Sequence, residues 1–194
     1  SEMCIRDSYN NDGWTDLFIS NDFFEKDYLY INNQDKTFSE KSTKYFKSMS
    51  LGSMGADSAD LDNDLLTDLF VTEMLPKSLK RRKTKAVYDS WDKHQLAVSK
   101  GYYDQYPRNV LQRNYGNSGF FEIGRYSNRA ATEWSWASMI FDMNNDGLRD
   151  IFIANGIFKD LLDRDYLAYM ANKQRISNLM KSGGEVIKKL IDIM

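Results

Sequence analysis

Residues 60–72 read DLDNDLLTDLFVT, and two other stretches align with them position for position: DMNNDGLRDIFIA at 142–154 and SYNNDGWTDLFIS at 8–20. Each has Asp or Asn at its third position, Asp at its fifth and ninth, and then a short apolar run. The flanks repeat as well. YLYINNQDKTFSE precedes the second copy and VLQRNYGNSGFFE the third, so Glu40 and Glu122 each stand twenty residues before the first aspartate of a loop. Recurrence of loop, run and spacing together marks a repeat protein, and the repeat governs every other assignment.

Carboxylates at alternate positions converge only if the backbone curls around a common centre, and a hard cation that takes six to eight oxygens holds such charges together. The side chains of Asp142, Asn144, Asp146 and Asp150, with the seventh-position carbonyl of Leu148, form such a set for Ca²⁺ in the third copy. Gly147, at the sixth position, permits the left-handed backbone that the turn requires. The same positions are Asp60, Asp62, Asp64, Asp68 and the Leu66 carbonyl in the second copy, and Asn10, Asp12, Asp16 and the Trp14 carbonyl in the first. A single string of this kind is as readily a solvated turn; three in register with flanking strands point to a metal, up to one Ca²⁺ per loop.

The copies differ. The second has four carboxylates but Leu65 in place of the glycine, and holding a leucine left-handed costs about 1–2 kcal/mol. The first has Ser8 where its first carboxylate belongs. Residues 1–8, SEMCIRDS, supply neither that aspartate nor an inner strand, and they resemble the translation of sequencing-adapter DNA. The first loop is therefore judged by Asn10, Asp12 and Asp16.

An EF-hand shares the first nine positions but carries a bidentate Glu at the twelfth. Here that position is Ile19, Val71 or Ile153, and β-favouring runs follow instead of a helix. A calcium sensor that switches between helix arrangements is accordingly the weakest functional class.

One whole unit contains four strand candidates: SMGADSAD from Ser53 entering the loop, LTDLFVT leaving it, an aromatic segment such as DYLYINN, and TFSE. Four short antiparallel strands per repeat are the signature of a β-propeller blade. Gly55 and Ala137, small residues ahead of the loops, suit an inner strand crowded near a central axis. Trp134, Trp136, Phe120 and Phe121 read as core between blades.

The 194 residues are 42% apolar and 14% aromatic with a net charge of −2, ordinary for a globular protein. Cys4 is the only cysteine, so no disulfide forms within the chain, and that leaves the compartment open. No apolar stretch approaches the roughly 18 residues that span a membrane.

DLDNDLLTDLF and DMNNDGLRDIF resemble the calcium loops of FG-GAP and VCBS repeats, as found in integrin α-chain propellers and bacterial surface proteins. YLYINNQDKTFSE, SMGADSADLDND followed by TEMLP, and EWSWASMIFDMNNDGLRDIFIANGIFKDLLDRDY resemble, more narrowly, the bacterial ASPIC/UnbV type related to cartilage acidic protein. The resemblance runs from Tyr9 to about Tyr166 and is weak from Lys77 to Tyr106. Leu65, and Gln34 and Lys36 where a Gly-Asp-Gly turn is usual, depart from it.

The resemblance implies a mainly β fold: a propeller of about seven blades, of which this chain holds two to three with helical insertions. The expected division is a partial blade at 9–52, a complete blade at 53–133 with a helical insertion at about 76–105, the start of a third blade at 134–157, and a helical insertion or truncated end at 158–194. The remaining blades then belong to a longer chain.

Val87, Trp91, His94 and Val98 predict one apolar face of a helix on the propeller rim. His94, the only histidine, has no second histidine, cysteine or carboxylate at ligand spacing and reads as a part-exposed helix residue. The basic run KSLKRRKTK at 77–85 reads as the solvated start of a helix rather than a nucleic-acid patch. From Lys159 the chain reads as helix, broken at Gly183 and Gly184 and resumed as EVIKKLIDIM.

Two functions compete. The first is a calcium-binding scaffold, extracellular, cell-surface or periplasmic by the resemblance, that presents its rim to a protein or glycan partner for binding or adhesion. The alternative is the propeller domain of a carbohydrate-active lyase or hydrolase. Every tight carboxylate cluster is already explained by a loop, and the chain has no Gly-x-Ser-x-Gly, zinc pattern or phosphate-binding glycine loop. No catalytic residue is assigned, and a non-enzymatic role is expected.

Overall fold

A computed structural model describes residues 2–23, 25–85, 90–157, 163–172 and 177. The chain divides into two compact units, Ser1–Lys77 with Val87–Gly156, and Ser78–Ala86 with Ile157–Met194.

The larger unit begins with an antiparallel meander of four strands, β1 (Glu2–Asp7), β2 (Asp16–Asn21), β3 (Tyr28–Asn32) and β4 (Phe38–Glu40). Its second strand alternates: Asp16, Phe18 and Ser20 are buried while Leu17 and Ile19 are half-buried. This is the period-two pattern of a strand whose two faces differ. The first strand corrects the expectation that residues 1–8 supply no inner strand. Glu2–Asp7 pairs with β2 from Glu2↔Asn21 to Asp7↔Asp16, and Ile5 packs on the core. Strand pairing is a backbone interaction, and strand propensity depends on context more than composition, so an unremarkable string takes the inner-strand place.

A short helix, α1 (Ser42–Tyr45), and the two-residue β5 (Met49–Ser50) lead to the second sheet. In it β6 (Gly55–Ala59) and β7 (Asp68–Thr72) flank the second loop, and β9 (Val110–Asn114) and β10 (Phe120–Glu122) complete the order β10-β9-β7-β6. The middle strand β7 is buried along its whole length, which is why DLFVT reads as a continuous apolar run. Between β7 and β9 lie α2 (Leu79–Lys85), α3 (Trp91–Ser99) and β8 (Gln105–Tyr106), the last paired in parallel with β5. The third loop joins β11 (Ser135–Phe141) to β12 (Asp150–Asn155), an antiparallel pair. The smaller unit holds α2, which is the basic run, and α4 (Arg164–Met170), capped by the Asp163 carboxylate on the amides of Asp165 and Tyr166.

The second sheet is packed on both faces. Leu69 and Val71 join Tyr9, Phe18, Leu29, Phe46 and Phe120 in one core cluster. Phe70, pointing the other way, joins Leu111 and Ile140 in a second. The inner strand β6 touches both β1 and β11, the entry strands of the neighbouring sheets. Face-packed four-stranded sheets with inner strands side by side are the arrangement of propeller blades, and the sheets here form a mainly β, open array.

Gly55 is the closest point of that array: a Cβ there would collide with the Trp136 carbonyl oxygen and lie 3.1 Å from Ala137 Cα. Among the aromatics expected in the core, Phe120 is buried, but Phe121 and Trp136 are 49% and 47% exposed. They project from the opposite face of their strands, and Trp134 is half-buried. The helix face is also revised. Ser90 caps α3 by accepting from the Lys93 amide, and His94, Ala97 and Val98 form the inward side while Trp91 is 70% exposed. Val87 and the segment EVIKKLIDIM lie outside the described residues.

Candidate metal centre

All three loops are held by the same side-chain-to-backbone bonds. The first-position carboxylate turns the loop: Asp60 Oδ2 accepts from the Leu65 amide at 2.9 Å, and Asp142 Oδ2 from the Gly147 amide at 2.8 Å. Ser8 does the same with its hydroxyl, Oγ accepting from the Gly13 amide at 3.1 Å. The fifth-position carboxylates of Asp12, Asp64 and Asp146 accept from the amides of Trp14, Leu66 and Leu148 at 2.8, 2.9 and 2.8 Å.

The backbone repeats too. The sixth positions, Gly13, Leu65 and Gly147, have φ of 81°, 69° and 86°, so the leucine adopts the glycine conformation. The fourth positions are Asn11, Asn63 and Asn145 with φ of 58°, 61° and 60°. Asparagine tolerates this region better than other side-chain-bearing residues, and its recurrence was a signal that attention to the carboxylates passes over.

The ninth-position aspartates of the first and second loops tie each to its sheet. Asp16 Oδ2 accepts from the Tyr9 amide and Oδ1 from the Asn32 amide; Asp68 does the same with Leu61 and Asn114. The asparagines reciprocate, Asn32 Nδ2 donating to the Thr15 carbonyl and Asn114 Nδ2 to the carbonyls of Thr67 and Tyr9. Both asparagines stand eight residues before a closing glutamate. Those glutamates are structural: Glu40 pairs with Lys26 at 3.4 Å and Glu122 with Arg108 at 2.9 Å, and each also accepts the amide two residues on.

The second loop brings Asp60, Asp62 and Asp64 together, each offering a carboxylate oxygen within 4.8 Å of the others. Asp68 lies behind them, almost wholly buried. Burial pushes its carboxyl up to about 6, against the pull of the Asn114 and Leu61 amides, and Asp16 is raised for the same reason. At the exposed lip the effect reverses. The Trp14 amide and the Asn10 side chain hold Asp12 below the usual carboxylate range, and the Leu148 amide and Asn144 hold Asp146 there. Asp12 and Asp146 are therefore ionised at neutral pH, as a divalent cation needs.

Two further contacts reach the loops from other strands. Asn63 Nδ2 donates to the Gly147 carbonyl at 3.3 Å, so the second and third loops adjoin. Gln34, with φ of 66° in the β3–β4 turn, donates through Nε2 to Asp12 at 3.2 Å, and Lys36 in that turn has φ of 71°. The departures from a glycine turn thus keep its backbone.

Away from the loops, Asp104 comes within 3.2 Å of His94 Nε2, a carboxylate partner that sequence spacing did not reveal. His94 stacks between Trp91 and Tyr106 beside a cleft of about 790 Å³. Among the described residues no helix is long and apolar enough to cross a membrane.

Residues 9–71 match the FG-GAP-like repeat family. The match runs from the second position of the first loop to the twelfth of the second and takes in the whole first sheet after β1. No curated protein matches the chain.

Proposed function

We propose that the chain, with its FG-GAP-like repeat at residues 9–71, is a calcium-binding β-propeller module of the FG-GAP/VCBS kind, more narrowly the ASPIC/UnbV type. It works outside the cytoplasmic membrane as a binding or adhesion scaffold for a protein or glycan partner, without chemistry of its own. The observation that carries this reading is the convergence of Asp60, Asp62 and Asp64. Neighbouring carboxylates repel by about 1 kcal/mol per pair even in water, a cost that a shared cation reverses.

The residues present fit that ion. Asp60, Asp62 and Asp64 with the Leu66 carbonyl are oxygen donors on a turn already closed by its own amides. Asp142, Asn144, Asp146 and the Leu148 carbonyl are the matching set in the third loop, and Asn10, Asp12 and the Trp14 carbonyl a poorer one in the first. Calcium bound there neutralises the lip and fixes loops that stand at one end of the sheets, which suits a rigid display surface.

Thermal melts in calcium and in EDTA test the proposal. At a hundredfold excess over Kd each site adds about 2.7 kcal/mol, and for a chain of this size that is a rise of roughly 5–10 °C. Coincident melts in calcium and EDTA exclude a calcium-stabilised module.

A further inference from the structure

The second loop carries a charge at its third position that neither other loop has, and a partner for that charge comes from elsewhere in the sheet. Its third position is Asp62, where the first and third loops have the neutral Asn10 and Asn144. The Arg113 guanidinium, on β9, forms an ion pair with Asp62 through Nη2 and Oδ2. Arg113 immediately precedes Asn114, whose amide bonds to Asp68, so the clamp that fixes the loop also fixes the base of the arginine. The guanidinium carbon lies 5.0 Å from the centre of the Tyr115 ring, which holds the head group over the loop.

The first sheet supplies the comparison. There the residue before the clamping Asn32 is Ile31, and the third loop position is Asn10: no cation, and no extra anion. In the second sheet both appear together. An ordinary exposed ion pair contributes only about 0–1 kcal/mol, so stability alone is a weak reason for the pairing. Its position matters more. The carboxylate it occupies is one of the three that converge to hold a cation.

We propose that Arg113 is a resident counter-cation that competes with calcium for Asp62. Without metal it offsets the repulsion among Asp60, Asp62 and Asp64 and keeps the loop in its folded turn. When calcium binds, Asp62 must share or surrender the guanidinium, so the four-carboxylate loop binds calcium more weakly than its charge predicts. This inference rests on the calcium-binding reading above.

The test uses the whole chain with the other loops silenced by Asp12→Asn and Asp146→Asn, which retain the oxygens that accept from Trp14 and Leu148. Calcium affinity is measured by calorimetry for Arg113, Arg113→Ile and Arg113→Gln, each with Asp62 and with Asp62→Asn. With Asp62 present, both arginine substitutions tighten binding about tenfold, the scale of one screened charge at contact distance. In the Asp62→Asn background they change it less than twofold. Arg113→Gln keeps a polar side chain at the site, so it carries the test if the isoleucine variant does not fold. Equal or weaker binding after loss of Arg113 overturns the inference alone. Absence of calcium binding in every protein of the set overturns it together with the reading on which it rests.

Discussion

Asp27 in the first sheet and Asn109 in the second hold the same place and accept the same bond. Asp27 Oδ1 takes the Asn21 amide at 2.9 Å, and Asn109 Oδ1 takes the Glu73 amide at 2.7 Å, each amide lying five residues beyond a ninth-position aspartate. Both side chains are buried, so one blade uses an acid where the next uses its neutral isostere. Burial pushes the Asp27 carboxyl from 3.8 up to about 7, although the Asn21 amide and Ser53 hydroxyl pull it down.

A pH dependence follows from that shift. Between about pH 4 and 7 the folded chain keeps a proton on Asp27 that the unfolded chain has released, so unfolding free energy falls as pH rises. The contribution is complete below the unfolded value of 3.8 and is lost as pH passes about 7. The whole drop is on the order of 4 kcal/mol. Asp27→Asn, copying Asn109, removes it and stabilises the chain at pH 8. Glu73, also raised to about 7 by burial, keeps its own share of the slope in both proteins. Urea unfolding at pH 4.5 and 8 measures the difference; parallel slopes for the two proteins show that Asp27 does not hold the proton.

Gly55 is required by the approach of β11. A methyl group at this position meets the backbone of Trp136 and Ala137, which cannot swing aside as a side chain can, as well as the Thr72 hydroxyl at 3.2 Å. Gly55→Ala therefore costs about 2 kcal/mol through overpacking, even though alanine favours a strand no less than glycine. A chemical melt that leaves the variant as stable as the parent means that the two inner strands are not in contact.

Leu65 makes the opposite case. With φ of 69° and 82% of its surface exposed, it bears the left-handed penalty and packs against little. Leu65→Gly relieves about 1–2 kcal/mol of strain and gives back about 0.5–1 kcal/mol in unfolded-chain entropy. The net gain is several tenths of a kcal/mol or more, with the backbone of the turn unchanged. A loss of stability on this substitution places the leucine side chain in a contact of its own.

The loops and most strands were visible in the sequence because both depend on short-range pattern: alternate carboxylates, then DLFI, DLFV and DIFI. The less visible features are those that the pattern does not encode. The strand at Glu2–Asp7 exists through its backbone ladder to β2. Phe121 and Trp136 are as apolar as Phe120, and only the stacking of sheets decides which face is covered. Asn114 and Arg113 act on a loop 46 to 51 residues earlier in the chain, a distance at which spacing carries no meaning until the strands pair. Asn32 and Asn114 could have been found from their fixed distance to Glu40 and Glu122; the pairing of His94 with Asp104 left no such trace.

Ser8 separates the two tasks of a first-position ligand. Its hydroxyl accepts from the Gly13 amide as Asp60 and Asp142 accept from Leu65 and Gly147, so the turn is kept while the negative charge is missing. Ser8→Asp restores the charge without a new backbone, and calcium binding at the first loop tightens by at least about tenfold, or 1.4 kcal/mol. Trp14 makes the measurement specific. It occupies the seventh position, where the other loops have Leu66 and Leu148, and it is half exposed beside the ligands. Indole-sensitised terbium luminescence, displaced by calcium, reports the first loop in preference to the others. If the displacement curve of Ser8→Asp overlies that of the parent chain, the first position contributes shape alone to this loop, and its weakness lies with Asn10 instead.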